Sequence, residues 1–254
     1  MTQNRRTAIR LNLFLLRITR NWLRIATLIV GLYITLPFAA PILMKVGATG
    51  PARVLYTLYS PMCHQFAFRS FFLFGEQAVY PRAISGTDLI PFETEVANLP
   101  QFAPTSVNPI GGPVGDLYAF TPGFQFTARD FVGNEQMGYK LTLCERDISI
   151  YIAIFIGALL YSIPFVRRHL RPVPIWLYVF VGLVPIGLDG FSQLFGYPPF
   201  NFWPPRETLP IFRVVTGAIF GFMNAWLGLP YLELSMRDTR VQIERKLRRA
   251  GVEF

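Results

Sequence analysis

Histidine, cysteine and charge are the scarce commodities of this chain. It has two His and two Cys in 254 residues, and only 15% Asp, Glu, Lys and Arg, against about 25% in an ordinary soluble domain. Two cysteines exclude a disulfide-dense scaffold. Low charge combined with 52% hydrophobic residues excludes a disordered chain, which needs the opposite balance. The sequence has no Gly-rich phosphate loop, no Ser-His-Asp set, no haem-attaching Cys-x-x-Cys-His and no paired metal-binding histidines, so the common catalytic signatures are missing. What is abundant is aromatic and aliphatic: 24 Phe, 11 Tyr and 4 Trp, with the apolar residues gathered into long runs.

Four runs are long enough to cross about 30 Å of hydrocarbon at 1.5 Å per residue: residues 25–46, 148–166, 175–195 and 211–231. The expected fold is therefore an all-α polytopic membrane protein. It is a four-transmembrane-helix bundle, residues 25–232, with a long loop-rich extracytoplasmic insertion, residues 48–147, between the first and second helices. Residues 1–24 form a basic amphipathic segment and residues 233–254 a basic tail. The first apolar run exceeds a signal-peptide core, so it reads as a retained anchor.

Charge orients the spans. Arg5, Arg6, Arg10, Arg17, Arg20 and Arg24 precede the first, Arg167, Arg168 and Arg171 separate the second from the third, and Arg237, Arg240, Arg245, Lys246, Arg248 and Arg249 follow the fourth. Under the positive-inside rule these segments are cytoplasmic, which puts both termini on the cytoplasmic side of the cell membrane. Residues 48–147 hold six basic and nine acidic residues and belong outside. The net charge of +9 thus records orientation. The partners expected are the lipid bilayer and, on the accessory-subunit reading below, other membrane subunits; nucleic acid is not among them, since no reader motif is present. Residues 9–24 read either as an amphipathic helix on an anionic leaflet or as a plain topogenic cluster.

In the outer segment, residues 51–59 suggest a short helix. Seven prolines between Pro81 and Pro122 forbid one continuous helix, and the aromatics favour an ordered cap over a disordered loop.

The residues able to do chemistry gather on that outer side. Cys63 and His64 are adjacent; Cys144 and Asp147 stand at the outer start of the second span. Three readings stay open: a Cys63–Cys144 disulfide, contributing about 4 kcal/mol in the chain-entropy model; a zinc-like divalent metal held by Cys63, His64, Cys144 and Asp147; or two buried thiols. Against the second, adjacent residues rarely aim both side chains at one ion. Asp189 sits inside the third span, where a lone carboxylate needs a partner. Arg213 is the nearest in depth, with Arg206 and Glu207 able to join and Gln193 on the same helix face. Gly217 and Gly221 form Gly-x-x-x-Gly, a close-packing motif without chemistry. His169 lies among cytoplasmic arginines and reads as solvated.

Taken as an ordered set, several stretches resemble the uncharacterised integral-membrane family called domain of unknown function 2085. These are Cys63-His64-Gln65, Arg69-Ser70-Phe71-Phe72-Leu73-Phe74-Gly75-Glu76-Gln77, Cys144-Glu145-Arg146-Asp147, Asp189-Gly190-Phe191-Ser192-Gln193, Arg206-Glu207-Thr208 and Arg213-Val214-Val215-Thr216-Gly217. The resemblance runs from about Tyr56 to Gly221. It implies a small helical membrane bundle and no particular reaction. The family pattern places a second cysteine where Asp147 stands, which strengthens the metal reading in general and weakens it for this chain.

These residues give two functional expectations. In the first, Cys63, His64, Cys144, Arg146, Asp147, Asp189, Gln193, Arg206 and Arg213 converge on an outer polar site under the cap. If that site is catalytic, Asp189 is the base candidate and Arg213 or Arg206 an anion clamp. In the second, the chain is a non-catalytic accessory or scaffold subunit with a Cys63–Cys144 disulfide. A third, a quinone- or pigment-binding protein, rests on aromatic content alone.

Overall fold

The computed structural model describes residues 3–254, with side chains from Arg6 onward; residues 1 and 2 and the side chain of Arg5, part of the basic N-terminal segment, lie outside the described residues. The first helix, α1 (Gln3–Lys45), runs unbroken for 43 residues, about 64 Å. Pro37 and Pro41 lie inside it, as membrane helices tolerate. Residues 9–24 are consequently the first half of α1, continuous with the apolar run. A turn at Gly47, where φ is +80°, reverses the chain into α2 (Thr49–Tyr59). This helix packs back on α1 through Ala52 and Tyr56 against Ala40.

A cap follows, built from β1 (Ser70–Leu73), α3 (Phe92–Val96), β2 (Val107–Asn108), β3 (Gly112–Pro113), α4 (Pro122–Asp130), β4 (Gly133–Asn134) and β5 (Gly138–Cys144). Its elements are short, but Phe68, Phe92, Phe102, Phe124 and Phe131 supply a fully formed core. Their rings meet edge-on or stacked at 5.6–6.3 Å, the geometry aromatic quadrupoles prefer. Arg82 and Glu93 pair at 2.8 Å with neither side chain exposed, and Arg82 also donates to the carbonyls of Leu117 and Tyr118.

The main sheet has the order β1–β5–β4, all antiparallel. Its register joins the cap to the helices: Ser70 of β1 pairs with Cys144, the last residue of β5, and the next residue opens α5 (Glu145–Ser162). The apolar run of residues 148–166 is not one helix: α5 stops at Ser162, Ile163 is extended, and Pro164 starts the separate α6 (Pro164–His169). The reason is that a residue before proline is steered away from helical backbone. Then come α7 (Ile175–Leu177) and α8 (Val184–Leu194), joined by a π-helical stretch, Tyr178–Leu183. The last helix is α9 (Pro210–Arg249), 40 residues long.

Among the described residues, three helical stretches are long and apolar enough to cross a membrane: Arg6–Lys45, Ile175–Leu194 and Pro210–Arg249. By the same measure α5 falls short, because its first turn is Glu145, Arg146 and Asp147. The apolar remainder, residues 148–162, is about 22 Å long. It packs closely on α9. A Cβ on Gly217 would meet the Ser149 Oγ at 2.1 Å, and one on Gly221 the Ile150 carbonyl oxygen at 2.3 Å. Only glycine lets these backbones approach so near. At the other end of α9, Ile243 and Leu247 bury Leu16 of α1, and Arg20 pairs with Glu244 at 3.0 Å. The two long helices thus extend together past the apolar zone as a basic pair.

Candidate functional site

The β5–α5 junction carries the site. Cys144 occupies the N-cap position of α5, and Asp147 sits in that helix's first turn. The Cys144 thiol donates to Asp147 Oδ2 at 3.0 Å. Cys63 arrives from the turn after α2, and its Sγ accepts two backbone N–H groups, from Gln65 at 3.4 Å and from Cys144 at 3.3 Å. Gln65 holds this turn. It sits in the left-handed region with φ +55°, a costly position for a residue other than glycine. Its buried amide donates to the carbonyls of Tyr56 and Thr142, both at 2.9 Å, and its carbonyl accepts from Lys140 Nζ at 2.7 Å. Lys140 is buried, and burial lowers its pKa to about 7.

Cys63 Sγ, Cys144 Sγ and a carboxylate oxygen of Asp147 all lie within 4.8 Å of one another. Both thiols are free. Hydrogen bonding with Cys63, then burial, raises the Cys144 pKa. His64 lines the same cavity but is exposed and stands outside this three-atom group, its ring 5.5 Å from that of Phe66. Adjacent residues in a tight turn diverge, so Cys63 goes inward and His64 outward.

The cavity, about 380 Å³, lies between the cap (Phe66, Phe120), the first turn of α5, and the end of α8 with Tyr197. Arg69, Arg146 and Arg213 reach it, each held by carboxylates. The expected Asp189–Arg213 pair is not formed. Asp189 bonds Arg146 and the Thr208 hydroxyl. Arg213 bonds Glu207 and approaches Glu145 at 3.6 Å. Gln193 joins the two halves, donating to Thr208 Oγ1 at 2.7 Å and accepting from Arg213 at 3.1 Å. The Gly217–Gly221 contact explains the exchange of partners. It brings the Arg213 end of α9 against the Glu145 turn of α5, while Arg146, one residue on, faces α8.

Arg206 is exposed and takes no part in these bonds. The arginine that does is Arg69, which grips Glu207 through two bonds, at 2.5 and 3.2 Å. Tyr197 adds a third donor at 2.9 Å. Burial works to raise the Glu207 pKa, but Arg69 and Arg213 outweigh it and hold the carboxyl below its usual range. Glu145 is different. It is buried, Arg213 stands 3.6 Å away, and neither carboxylate oxygen has a hydrogen-bond partner. Arg69, Glu145, Thr208 and Tyr197 are the members of this network that sequence reasoning did not assemble. Several stand in the quoted motifs, but nothing in a linear spacing of 138 residues joins Arg69 to Glu207.

The fold and site define a mostly helical membrane protein with a buried ionic network at one end of its helices. Residues 135–227 match the family described as "Predicted membrane protein (DUF2085)". That stretch contains the Cys144, Asp189, Arg206 and Arg213 motifs; Cys63-His64-Gln65 and the Arg69 motif lie before it. An uncharacterized protein of Methanocaldococcus jannaschii is 31% identical over 94 residues, covering 37% of this chain and 54% of that protein, so the chain spans about half the length of the curated relative it matches. No solved structure matches.

Proposed function

We propose that this is a four-span protein of the cell membrane, with α1, α5, α7–α8 and α9 as the spans and both termini in the cytoplasm. Its extracytoplasmic cavity binds a divalent metal ion through Cys63, Cys144 and Asp147. The basic residues beside the spans support the orientation. The close packing of α5 on α9, with Ile156, Leu159 and Leu160 left exposed on its other face to meet lipid, supports counting it as a span.

The observation that carries the metal reading is the three-atom group itself, two sulfurs and a carboxylate oxygen within 4.8 Å of one another. Tetrahedral zinc with sulfur at about 2.3 Å separates its ligands by about 3.8 Å, so a small contraction closes the site. Two soft ligands and one hard one suit zinc. The N–H bonds onto Cys63 Sγ are the outer support that metal-bound thiolates receive. Three protein ligands leave a position facing the cavity, and an ion there would polarise a bound oxygen. Asp189 and Arg213 are committed to Arg146, Thr208, Glu207 and Gln193, which makes them supports of the cavity wall.

A second reading has an observation of its own: the two sulfurs are neighbours, so oxidation would join Cys63 to Cys144 and leave a structural, accessory subunit. One sample separates the two. Metal analysis with thiol titration of the purified chain is expected to give about one metal per chain and two thiols that react after chelation. No metal, with no thiol until a reductant is added, would overturn the metal site in favour of the disulfide.

A further inference from the structure

At the opposite end of α5 from the cysteines lies a second and larger cavity, about 840 Å³, a groove between α1 and the last turns of α5. At its narrow part the Phe155 ring comes within 3.0 Å of where a Gly31 Cβ would sit. Its two halves differ in chemistry. One half is apolar, with Leu28, Leu32 and Phe155. The other carries Arg20, Arg24 and Arg167, and no acidic residue lines the groove.

The carboxylates nearby sit behind these arginines on α9. Glu244 pairs with Arg20 at 3.0 Å and Glu233 with Arg167 at 2.5 Å. Arg168 and Arg237 stand beside Glu233, so the local balance stays positive. Arg24 is exposed and has no hydrogen bond or ion pair among the described residues.

We propose that this groove is a binding site for one anionic phospholipid, with the phosphate on Arg24, Arg20 and Arg167 and an acyl chain along Leu28, Leu32 and Phe155. Arg24 immediately precedes the apolar run that starts at Ile25, which sets the guanidinium groups at headgroup height. Basic pockets at the ends of membrane helices take anionic headgroups, and a guanidinium fork matches two phosphate oxygens. The apolar half selects a lipid over a free phosphate, which has nothing to bury there. This site is separate from the Cys63 cavity and stands whether or not that cavity holds metal.

The test is native mass spectrometry of the purified full chain after exchange into detergent with phosphatidylglycerol or with phosphatidylcholine. The wild type is expected to retain one phosphatidylglycerol and to release phosphatidylcholine. Arg24→Glu, which removes a cation and puts an anion in its place, should weaken retention by at least about tenfold. Leu28→Trp, which fills the apolar half, should weaken it too. Arg10→Glu, an exposed position outside the groove, should retain the lipid. Equal retention of both lipids, or an Arg24→Glu chain that retains phosphatidylglycerol as the wild type does, overturns the proposal.

Discussion

Glu207 is buried and still ionised, because two guanidinium groups and the Tyr197 hydroxyl replace the water it has lost. Removing one partner of such a group leaves the others charged and unpaired, at a cost of about 3–5 kcal/mol. Glu207→Gln should therefore lower unfolding stability in detergent by about that amount, with Arg69 and Arg213 stranded. Its pKa lies below the unfolded value of about 4.3, so its contribution is complete above that pH and lost as the pH falls further. The wild type should lose stability with acid over that window, and the variant should show less of that loss. Arg206→Ala, at an exposed neighbouring position, should stay within about 0.5 kcal/mol of wild type; a loss equal to that of Glu207→Gln would contradict the network as described. The residue types of the site were legible in the sequence, since charges beside apolar spans need partners. Their pairing was not: Arg206 is next to Glu207 in the chain, whereas Arg69 is next to it in space.

The α5–α9 contact decides which charges meet. Gly217 and Gly221 were readable as a packing motif from their spacing, but not the helix they face. Gly221→Ala puts a methyl 2.3 Å from the Ile150 carbonyl and 2.8 Å from the Ala153 Cβ, neither of which can swing away. It should cost about 1–3 kcal/mol, as overpacking does. Gly228, in the same helix, has nothing within 4 Å of its Cβ position, so Gly228→Ala should gain about 0.5–1 kcal/mol from helix propensity alone. Thermal unfolding of the pair in one detergent checks both signs. The break at Pro164 is the element-scale lesson of the sequence. Hydropathy carried the second run through to Val166, while the proline stopped the helix after Ser162. The cap teaches the converse: its prolines were evident, and so was its aromatic content, but the pairing of Phe68 with Phe124 and of Phe92 with Phe131 joins segments far apart in sequence.

At the scale of the molecule, α1 and α9 are each about twice the hydrocarbon thickness and pack together at their basic ends, Leu16 against Ile243 and Leu247. The proposed orientation predicts that tags at the N- and C-termini are both protected in intact cells, while a thiol-reactive probe that cannot cross the membrane reaches a cysteine placed at Ile110, an exposed cap position. Labelling of both termini in intact cells would reverse the orientation, and labelling of one alone would make the number of spans odd and overturn the four-span reading.

The sequence alone determined the membrane environment and the helical class, and it is the ground on which the outer placement of Cys63, His64, Cys144 and the intramembrane charges is proposed. These follow from composition and period, which are local. Tertiary structure alone decided that Asp189 takes Arg146 and Arg213 takes Glu207. It also decided that His64 turns away from Cys63, and that the two thiols and Asp147 share one cavity. Each of these depends on where separate elements come to lie against one another, and the distance along the chain says nothing about that.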